Sequence, residues 1–592
     1  MPVTLGPKDG LGKNITTLIV IVVIIFAAAA GIYYVAHPGI ISRSIIKTTI
    51  TYEQSTLPCS IDPSGCLSGP SYEILQNIYE TLVWYNGSSN SVIPWLAQNY
   101  SVSSNGTVYT FILGKGIQFC DGTQFNASAV KFSLDREILV GQLSSAWMFQ
   151  DYIVGGREYE YSNHTAADAA KFLSSDAIQV LNQYEVAIHL STPYAGFLGV
   201  LATTQSSIIS PSYVMAHGGV VPGQINNWMN SQGARGTGPY NLQNYDPATG
   251  TAVLQANDHY WGGPYGNIHP KIQTVIIKTV TSPSTMVLDM KADTTNLAQI
   301  TNTQLSQFIN TTEWQNDHVL QSTIPAIKVT GPFLTQLLYE INMNEHIKSS
   351  DGQPASFQPF ANKDVREAMV DAFNYDSYIK QALDGFGIRS NQPLPMGLFG
   401  FDKNLSYPTF NLTKARTLLI QAGAELGFSP SNQETVPAYY VSGSTTEQTA
   451  ILLLATAVNQ LGTGLVLSPQ ALAFPSYIAL QKKGQLPMWV GSWAPLYNDP
   501  DYMLQTFVTK NVATNSAYHN STVVSLVQQQ AQALSTAQRM TLIAKAVQLM
   551  ASDYAFIWVA QLETYQVMQA NLVGYFYNPA LEGPIYFATL SS

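Results

Sequence analysis

The feature that most constrains this chain is an apolar segment near its beginning. Residues 15–36 are almost entirely Ile, Val, Leu, Ala, Phe and Tyr. About twenty apolar residues in a helix span the roughly 30 Å hydrocarbon core of a bilayer. The segment therefore predicts one N-terminal transmembrane helix, either retained as an anchor or removed by cleavage. Residues 1–14 would then form a short cytoplasmic N-terminus or leader, and residues 37–47 a tether.

Charges and glycosylation sequons indicate on which side of the membrane the rest of the chain lies. Lys8 and Lys13 precede the apolar segment and the next Lys or Arg is Arg43, which weakly favours an N-terminus inside the cell. Asn-X-Ser/Thr sequons, which are acceptors for N-glycans, begin at Asn86, Asn99, Asn105, Asn126, Asn163, Asn310, Asn404, Asn411 and Asn520. Their spread over the whole region after the anchor predicts a single-pass protein of the cell membrane with a large, glycosylated extracellular part.

Length and composition limit the classes of protein that this region can belong to. A chain of 592 residues is too long for one hydrophobic core, so at least two domains are expected. Charged residues make up only 11%, against a usual share of roughly 25%, so the polar surface consists mainly of neutral groups. Such a surface changes little when carboxylates are protonated, which would suit an acidic exterior. The net charge of -10, without a basic stripe, excludes a nucleic-acid partner.

Three cysteines bear on the redox state of the compartment and on metal binding. Cys59 and Cys66 lie in one Pro- and Gly-containing loop, and in an oxidising compartment they would most simply pair with each other. Cys120 lies in a turn and is interpreted as a partly buried bystander. No second Cys or His stands at metal-ligand spacing beside any of them, so no metal site is predicted.

Hydrophobic periodicity predicts several local elements in the first third of the exterior part. Residues 48–52 and 107–113 are typical of strands, and residues 185–190 alternate as a half-buried strand does. Residues 72–83 carry a helical apolar stripe. A further helix is expected to begin near Asn126 or Ser128, both of which are good N-cap residues.

Several motifs carry a resemblance to a known family. The stretch Ile-Tyr-Glu-Thr-Leu-Val-Trp-Tyr-Asn at 78–86 is followed by Gly-Thr-Gly-Pro-Tyr at 236–240 and by Asn-Asp-His-Tyr-Trp-Gly-Gly at 257–263. Farther on, residues 359–368 read Pro-Phe-Ala-Asn-Lys-Asp-Val-Arg-Glu-Ala. In residues and spacing these motifs resemble the family 5 solute-binding proteins of ABC importers, in an archaeal membrane-anchored form. The resemblance covers nearly everything after residue 48.

The resemblance implies an α/β fold of the two-lobed, periplasmic-binding-protein-like kind. It would be the class II, large peptide-binding type with an extra subdomain, here preceded by the transmembrane helix. Lobe 1 is expected to comprise residues 48–84, 206–337 and 555–592, with the extra subdomain at 85–205. Lobe 2 is expected at 338–554.

The resemblance also implies a function that changes no covalent bond. Such proteins close over an oligopeptide or oligosaccharide and deliver it to ABC permease and ATPase subunits, without a cofactor. The sequence contains no nucleophile elbow, His-Glu-x-x-His motif or Walker loop, so no catalytic residues are predicted. A surface receptor or adhesin with the same fold stays an alternative, and it would lack permease and ATPase genes nearby. An anchored surface hydrolase is a less favoured alternative.

The candidate binding residues lie mainly in one stretch, Met488–Tyr502. An apolar run rises to Trp493, breaks at Pro495 and is followed by Tyr497 and Asn498, which would present an aromatic ring and an amide at the end of a buried element. The resemblance implies that this Trp and the following Asp-Pro-Asp line the ligand cleft. A core strand ending in an ordinary turn, with Trp493 packed inside, is the alternative interpretation.

Two departures from the family pattern bear on the ligand. Peptide-binding members hold the free amine with an Asp three residues after the pocket Trp, where this chain has Leu496. Dipeptide-binding members hold the carboxylate with an Arg in the loop after the strand that here contains Tyr440, and the matching loop around Gly443 has no positive charge. These replacements predict a neutral ligand, and leave peptide and sugar both open.

Overall fold

The computed structural model covers most of the chain beyond the predicted tether. It describes residues 49–65, 68–87, 91–140, 147–154, 166–508, 518–580, 585 and 588–591. The predicted transmembrane helix at 15–36 lies outside these ranges. Within them, no helix combines the length and the apolar composition needed to cross a bilayer.

Strands occur along the whole described region and are numbered here in chain order. They are β1 (Thr49–Gln54), β2 (Val83–Tyr85), β3 (Val92–Pro94), β4 (Ala97–Val102), β5 (Val108–Leu113), β6 (Ile178–Asn182), β7 (Glu185–His189), β8 (Tyr240–Asp246), β9 (Thr251–Ala256), β10 (Thr274–Thr279), β11 (Leu297–Ala298), β12 (Ile327–Met343), β13 (Gly387–Arg389), β14 (Glu434–Val441), β15 (Leu465–Leu472), β16 (Met488–Trp493), β17 (Phe556–Gln569), β18 (Leu572–Val573) and β19 (Thr589–Leu590).

Helices alternate with these strands. They are α1 (Gly69–Ile78), α2 (Ala127–Val140), α3 (Trp147–Phe149), α4 (Ala166–Ser174), α5 (Phe197–Leu201), α6 (Pro211–Ala216), α7 (Asn227–Gln232), α8 (Pro283–Lys291), α9 (Asn302–Leu305), α10 (Thr311–Asp317), α11 (Lys363–Ala372), α12 (Tyr375–Ala382), α13 (Leu412–Leu426), α14 (Thr445–Gln460), α15 (Phe474–Lys482), α16 (Pro500–Val508), α17 (Ser521–Gln532) and α18 (Thr536–Asp553). A π-helical turn at Gln150–Val154 and 3₁₀ turns at Thr204–Ser206 and Pro359–Ala361 complete the set.

One large mixed sheet runs through the described residues and connects both lobes. Its strand order is β15-β14-β16-β12-β17-β11-β1-β10-β9-β8, with β13 pairing β17. At one end β14 runs parallel to β15 and β16, and nearer the other end β1 runs parallel to β10 and β11. The long antiparallel pair β12 and β17 joins the two parts. Each lobe thus has its own parallel strands, and two continuous strands pass between them.

Separate hydrophobic clusters fill the parts of the molecule. The β1, β8–β10 part packs around residues such as Ile74 and Ile277, and the β14–β16 part packs around residues such as Leu454 and Val490. A third cluster includes Phe111 of the predicted extra subdomain together with Phe507 and Val547 of the predicted lobe 2. The sheet β4-β5-β7-β6 of that subdomain therefore shares a core with helices α16–α18.

Three of the four family motifs, those at 78–86, 236–240 and 257–263, meet around one buried carboxylate, that of Glu80. Its side chain accepts hydrogen bonds from Trp95 Nε1 at 2.7 Å, Thr237 Oγ1 at 2.7 Å, Tyr260 at 2.7 Å and Trp261 Nε1 at 2.8 Å. Burial raises the pKa of Glu80, while these four hydrogen bonds act in the opposite direction. The donors come from segments far apart in sequence, so the motifs are explained by a structural junction rather than by ligand contact.

The Gly-Thr-Gly turn is required by a close backbone approach at this junction. A Cβ atom on Gly236 would lie 2.0 Å from the carbonyl oxygen of Ile78, at the end of α1. Only glycine fits such an approach without displacing the helix end. Thr237 is thereby brought within hydrogen-bond distance of Glu80.

Candidate functional site

A cavity of about 540 Å³ lies where the two long strands pass between the lobes. It is lined by residues at the carboxyl ends of β1 and β11, by the middle of β12 and β17, by residues 494–498 after β16, and by residues 575–580. Ligands of open α/β sheets commonly bind at the carboxyl ends of strands, and the volume is in the range of about 300–1,000 Å³ typical of ligand pockets. We take this cavity as the candidate binding site.

The cavity wall is rich in neutral hydrogen-bonding groups. Amide and hydroxyl side chains line it at Ser55, Gln299, Thr301, Thr335, Gln336, Asn498, Thr564 and Gln566. Tyrosines contribute rings and phenol groups at Tyr52, Tyr497, Tyr565, Tyr575 and Tyr577. Such a wall can pair with backbone amides or with sugar hydroxyls at little desolvation cost to itself.

Among the described residues that line the cavity, one carries a carboxyl group, namely Glu73 on α1. Glu73 is not among the binding residues predicted from the sequence. Glu73, Gln76, Asn77 and Glu80 recur at helical spacing, and such a polar stripe normally indicates a solvent-facing side. The structure buries all four side chains, because the stripe faces the cavity and the motif junction instead of water. The sequence signal that could have indicated this buried polar side is a polar stripe beside an apolar stripe on the same short helix.

Three predicted binding residues lie in the cavity wall, namely Leu496, Tyr497 and Asn498. Asn498 Oδ1 accepts a hydrogen bond from Gln336 Nε2 at 2.6 Å, which links the loop after β16 to β12. The hydroxyl of Tyr497 hydrogen-bonds the hydroxyl of Tyr194. The loop is therefore held by contacts to both neighbouring parts of the molecule.

The other three predicted residues do not line this cavity. Trp493 is half-buried and packs against the cluster shared by the extra subdomain and α16–α18. Tyr440 packs at the edge of the cluster around β14–β16. Gly443 is exposed in the turn after β14. Both Tyr440 and Gly443 lie on the β14 side of the sheet, separated from β12 by β16.

The aspartates that follow Trp493 serve packing and not the cavity. Asp499 forms a buried ion pair with Arg539, whose Nη1 lies 2.8 Å from Asp499 Oδ2. The carboxylate of Asp501 accepts hydrogen bonds from Gln505 Nε2 at 2.6 Å and from Tyr152 at 3.2 Å. The resemblance implied that this Asp-Pro-Asp lines the cleft, and the structure instead uses both carboxylates to hold α16 against its neighbours.

Burial perturbs the ionisation of the second aspartate. Desolvation is the largest effect and the charge of Asp499 adds to it, so that the pKa of Asp501 is raised to about 7. The guanidinium of Arg539 acts in the opposite direction. The side chain stays next to the stacked rings of Tyr152 and Tyr194, whose centroids are 3.6 Å apart. This network joins the extra subdomain to lobe 2 beside the cavity.

The residues of the predicted disulfide and of the predicted glycosylation sites differ in their exposure to solvent. Cys59 is disulfide-bonded, whereas its predicted partner Cys66 lies outside the described residues, and Cys120 is a free, half-buried thiol. The side chains are exposed at Asn86, Asn99, Asn105, Asn310, Asn404 and Asn411. Asn126 and Asn520 are half-buried and cap helices, and Asn163 lies outside the described residues. Glycan attachment stays a prediction at all nine positions.

The described side chains offer no cluster of metal ligands. Across the described ranges, no group of three or more His, Cys, Asp or Glu side chains is arranged to hold a metal ion.

Comparison with known proteins identifies the family. The chain matches the family model of bacterial extracellular solute-binding proteins, family 5 Middle, over residues 91–515. It is 22% identical over 557 residues to the probable D,D-dipeptide-binding periplasmic protein DdpA of Escherichia coli K12, covering 93% of this chain and 95% of that protein.

Solved structures show the same architecture. HbpA2 from Haemophilus parasuis superposes with a TM-score of 0.71 at 19% identity, covering 92% of this chain and 100% of that one. The periplasmic binding protein DppA from Helicobacter pylori, solved with the peptide STSA, gives a TM-score of 0.66 at 22% identity over 92% of this chain and 98% of that one. The predicted two-lobed α/β fold is confirmed, and the chain belongs to the family 5 extracellular solute-binding proteins.

Proposed function

We propose that this protein captures oligopeptides in the cavity between its lobes and delivers them to the permease and ATPase subunits of an ABC importer. The observation that carries the proposal is the 540 Å³ cavity at the strand ends, walled by amides, hydroxyls and tyrosines. A peptide backbone presents one donor and one acceptor per residue, and such walls match it without requiring a particular side chain.

The relatives support a peptide ligand over a sugar. The name of the Escherichia coli relative specifies a D,D-dipeptide, and the Helicobacter pylori structure was solved with a tetrapeptide. Tyrosine rings beside amides also suit sugar rings, so oligosaccharides are the second ligand class to be tested. Closure of the lobes over ligand would shift an open-closed equilibrium only as far as the two states differ in affinity.

We further propose that the apolar segment at 15–36 anchors this domain on the outer face of the cell membrane. The apolar composition of that segment and the spread of sequons after it support this arrangement. The archaeal, membrane-anchored form stays a prediction from the sequence. Limited proteolysis of intact cells tests it, because an extracellular domain is released or degraded while a domain inside the cell is protected.

A thermal-shift experiment tests ligand capture. The purified exterior domain is heated with tri- to pentapeptide mixtures and, separately, with malto-oligosaccharides. A ligand at 100 times its Kd stabilises the folded form by about 2.7 kcal/mol, which for a chain of this length raises Tm by roughly 2 °C. Peptides are expected to raise Tm and oligosaccharides are not.

A cavity-filling variant shows whether the shift arises at the proposed site. Ala494 lines the cavity and is exposed, so Ala494→Trp should fill it without disturbing a core and should abolish the shift. Ala248→Trp, in an exposed turn, is the matched control and should keep the shift. Binding by neither ligand class, or an unchanged shift in Ala494→Trp, would overturn the proposal.

A further inference from the structure

Strand β12 forms a bulge where it passes the cavity. Leu334 pairs with Glu563 of β17. The next paired residue of β12 is Leu338, which faces Gln561. Three residues, 335–337, therefore stand opposite one residue of β17. An ordinary β-bulge sets two residues against one, so this bulge is one residue larger. Bulges bend a strand and re-aim its side chains, and they are common beside functional sites.

The bulge forms part of the cavity wall. Thr335, Gln336 and Leu337 all line the cavity, whereas successive side chains of a regular strand point to opposite faces. Gln336 is 6% exposed, and its Nε2 donates a hydrogen bond to Asn498 Oδ1 at 2.6 Å. Asn498 lines the cavity as well, in the loop after β16. One wall residue, placed by the bulge, thus holds a second wall residue from a distant segment.

Two side chains hold the bulge in place. The hydroxyl of Thr335 donates to the carbonyl oxygen of Leu562 at 2.9 Å and accepts from the backbone N–H of Leu337 at 3.1 Å. Gln561 Nε2 donates to the carbonyl oxygen of Thr335 at 2.6 Å. The amide of Gln561 also binds the backbone of Met396, donating to its carbonyl oxygen at 3.1 Å and accepting from its N–H at 2.7 Å. These bonds pair backbone groups that the bulge takes out of the strand ladder.

We propose that Thr335 is a positioning residue for ligand capture: its hydroxyl fixes the bulge, and the bulge sets Gln336 and Asn498 where they meet the ligand. This inference rests on the proposed function and adds to it a residue that acts on the ligand through others. A wall that already has its binding arrangement loses little conformational freedom when ligand binds. When the bulge is loosened, only a fraction of the molecules has that arrangement, and the affinity falls by the same fraction.

The first test removes the hydroxyl and keeps the size of the side chain. Affinity is measured in the full-length protein, as the concentration of a tri- to pentapeptide mixture that gives half of the maximal thermal shift. Thr335→Val should need at least tenfold more peptide than wild type, which corresponds to about 1.4 kcal/mol. Thr335→Ser keeps the hydroxyl and should stay within twofold of wild type.

A control variant separates positioning from a general loss of stability. Thr274 lies on β10, is half-buried, and donates from its hydroxyl to Gln255 Oε1 at 3.1 Å. It is not among the described residues that line the cavity. Thr274→Val therefore also loses a hydroxyl hydrogen bond, and it should keep the affinity of wild type. Urea denaturation of both valine variants shows how far each one loses stability.

Two further measurements examine how Thr335 acts. Residues in one hydrogen-bond network have non-additive effects, so Thr335→Val should change the affinity less than threefold when Gln336→Met is already present. Amide hydrogen exchange over residues 334–338 needs no ligand and reports local opening. It should be faster than in wild type in Thr335→Val and unchanged in Thr274→Val.

The outcomes separate this inference from the function on which it rests. An affinity of Thr335→Val equal to that of wild type, or an equal loss in Thr335→Ser, overturns the role of the hydroxyl and leaves peptide capture standing. A tenfold loss that persists in the Gln336→Met background, or unchanged hydrogen exchange in Thr335→Val, overturns positioning through the bulge. Failure of wild type to bind any peptide overturns the proposed function and this inference with it.

Discussion

Replacing Glu340 by glutamine should remove a large part of the pH dependence of stability. Glu340 lies on β12, is fully buried, and faces Gly491 of β16. A Cβ at position 491 would lie 2.0 Å from Glu340 Oε1, so the glycine leaves room for the carboxylate. Oε1 accepts one hydrogen bond from Asn342 Nδ2 at 3.2 Å, and among the described residues Oε2 has no hydrogen-bond partner.

The size of the change in unfolding free energy with pH follows from the ionisation of the Glu340 carboxyl group. Desolvation, with a smaller contribution from the Glu447 carboxylate, raises the pKa of Glu340 from 4.5 to about 8. In the folded state the group therefore holds a proton that the unfolded chain has already lost. Its contribution to stability is complete below pH 4.5 and is lost as the pH rises through 8. Between pH 6 and pH 8 each pH unit lowers the unfolding free energy by about 1.4 kcal/mol, and above pH 8 the effect levels off. The loss of stability between pH 6 and pH 9 is therefore about 2.5 kcal/mol.

The assay is urea denaturation of wild type and Glu340→Gln at pH 6 and pH 9. Other titrating groups affect both proteins equally, so the difference between the two pH-dependent losses isolates Glu340. The variant should lose about 2.5 kcal/mol less than wild type between these pH values. Glu313→Gln, at an exposed position on α10, should behave like wild type. Equal losses in wild type and Glu340→Gln would refute the reasoning, because the carboxyl group would then be ionised in the folded protein at pH 6.

Three further substitutions test the structural junctions, each by urea denaturation at pH 7. Glu80→Gln turns one acceptor oxygen into a donor among four donors and should lower the unfolding free energy by about 3 kcal/mol; a loss below 1 kcal/mol would contradict the junction. Gly236→Ala places a methyl group against the Ile78 carbonyl and should cost about 2 kcal/mol, and an unchanged midpoint would contradict the close approach. Arg539→Met leaves the Asp499 charge buried without its partner and should cost about 3–5 kcal/mol. The double variant with Asp499→Leu should recover much of this loss, and no recovery would contradict the ion pair.

Raised carboxyl pKa values predict how the stability of the folded protein depends on pH. Burial raises the pKa of Asp501 to about 7, of Asp135 to about 6 and of Glu53 to about 7. Each such group stabilises the folded state most below its unfolded pKa and loses that contribution as the pH rises through the folded value. Stability should therefore be higher at pH 5 than at pH 8, and urea denaturation of wild type at the two pH values checks this.

Local elements were predictable where short-range rules determine them. The expected strands at 48–52, 107–113 and 185–190 are observed as β1, β5 and β7. Asn126 caps α2 as expected, accepting from the backbone N–H of Ala129 at 3.0 Å. The helix predicted at 72–83 instead occupies Gly69–Ile78. It stops earlier because Glu80 is drawn into the junction and Val83 enters a strand, and neither contact is visible in helical periodicity.

The site was harder to predict because its wall is assembled from distant segments. The stretch around Tyr497 could be found, since Pro and Asn-Asp-Pro after a strand indicate an element end facing a cleft. The sequence could not show which residues of that stretch line the cavity. Tyr497 lines it, whereas Trp493 and Asp499 pack against other parts of the molecule, and these contacts form only in the tertiary structure.

The sequence by itself determined the family, the two-lobed α/β class and the positions of several strands and helices, because motif spacing and periodicity are properties of neighbouring residues. Tertiary structure alone decided the roles of the charged side chains. Glu80 meets four donors from three segments, Asp499 meets Arg539, and Glu73 faces the cavity. The physical reason is that the cost of burying a charge depends on the groups around it after folding, and those groups come from segments that lie far away along the chain.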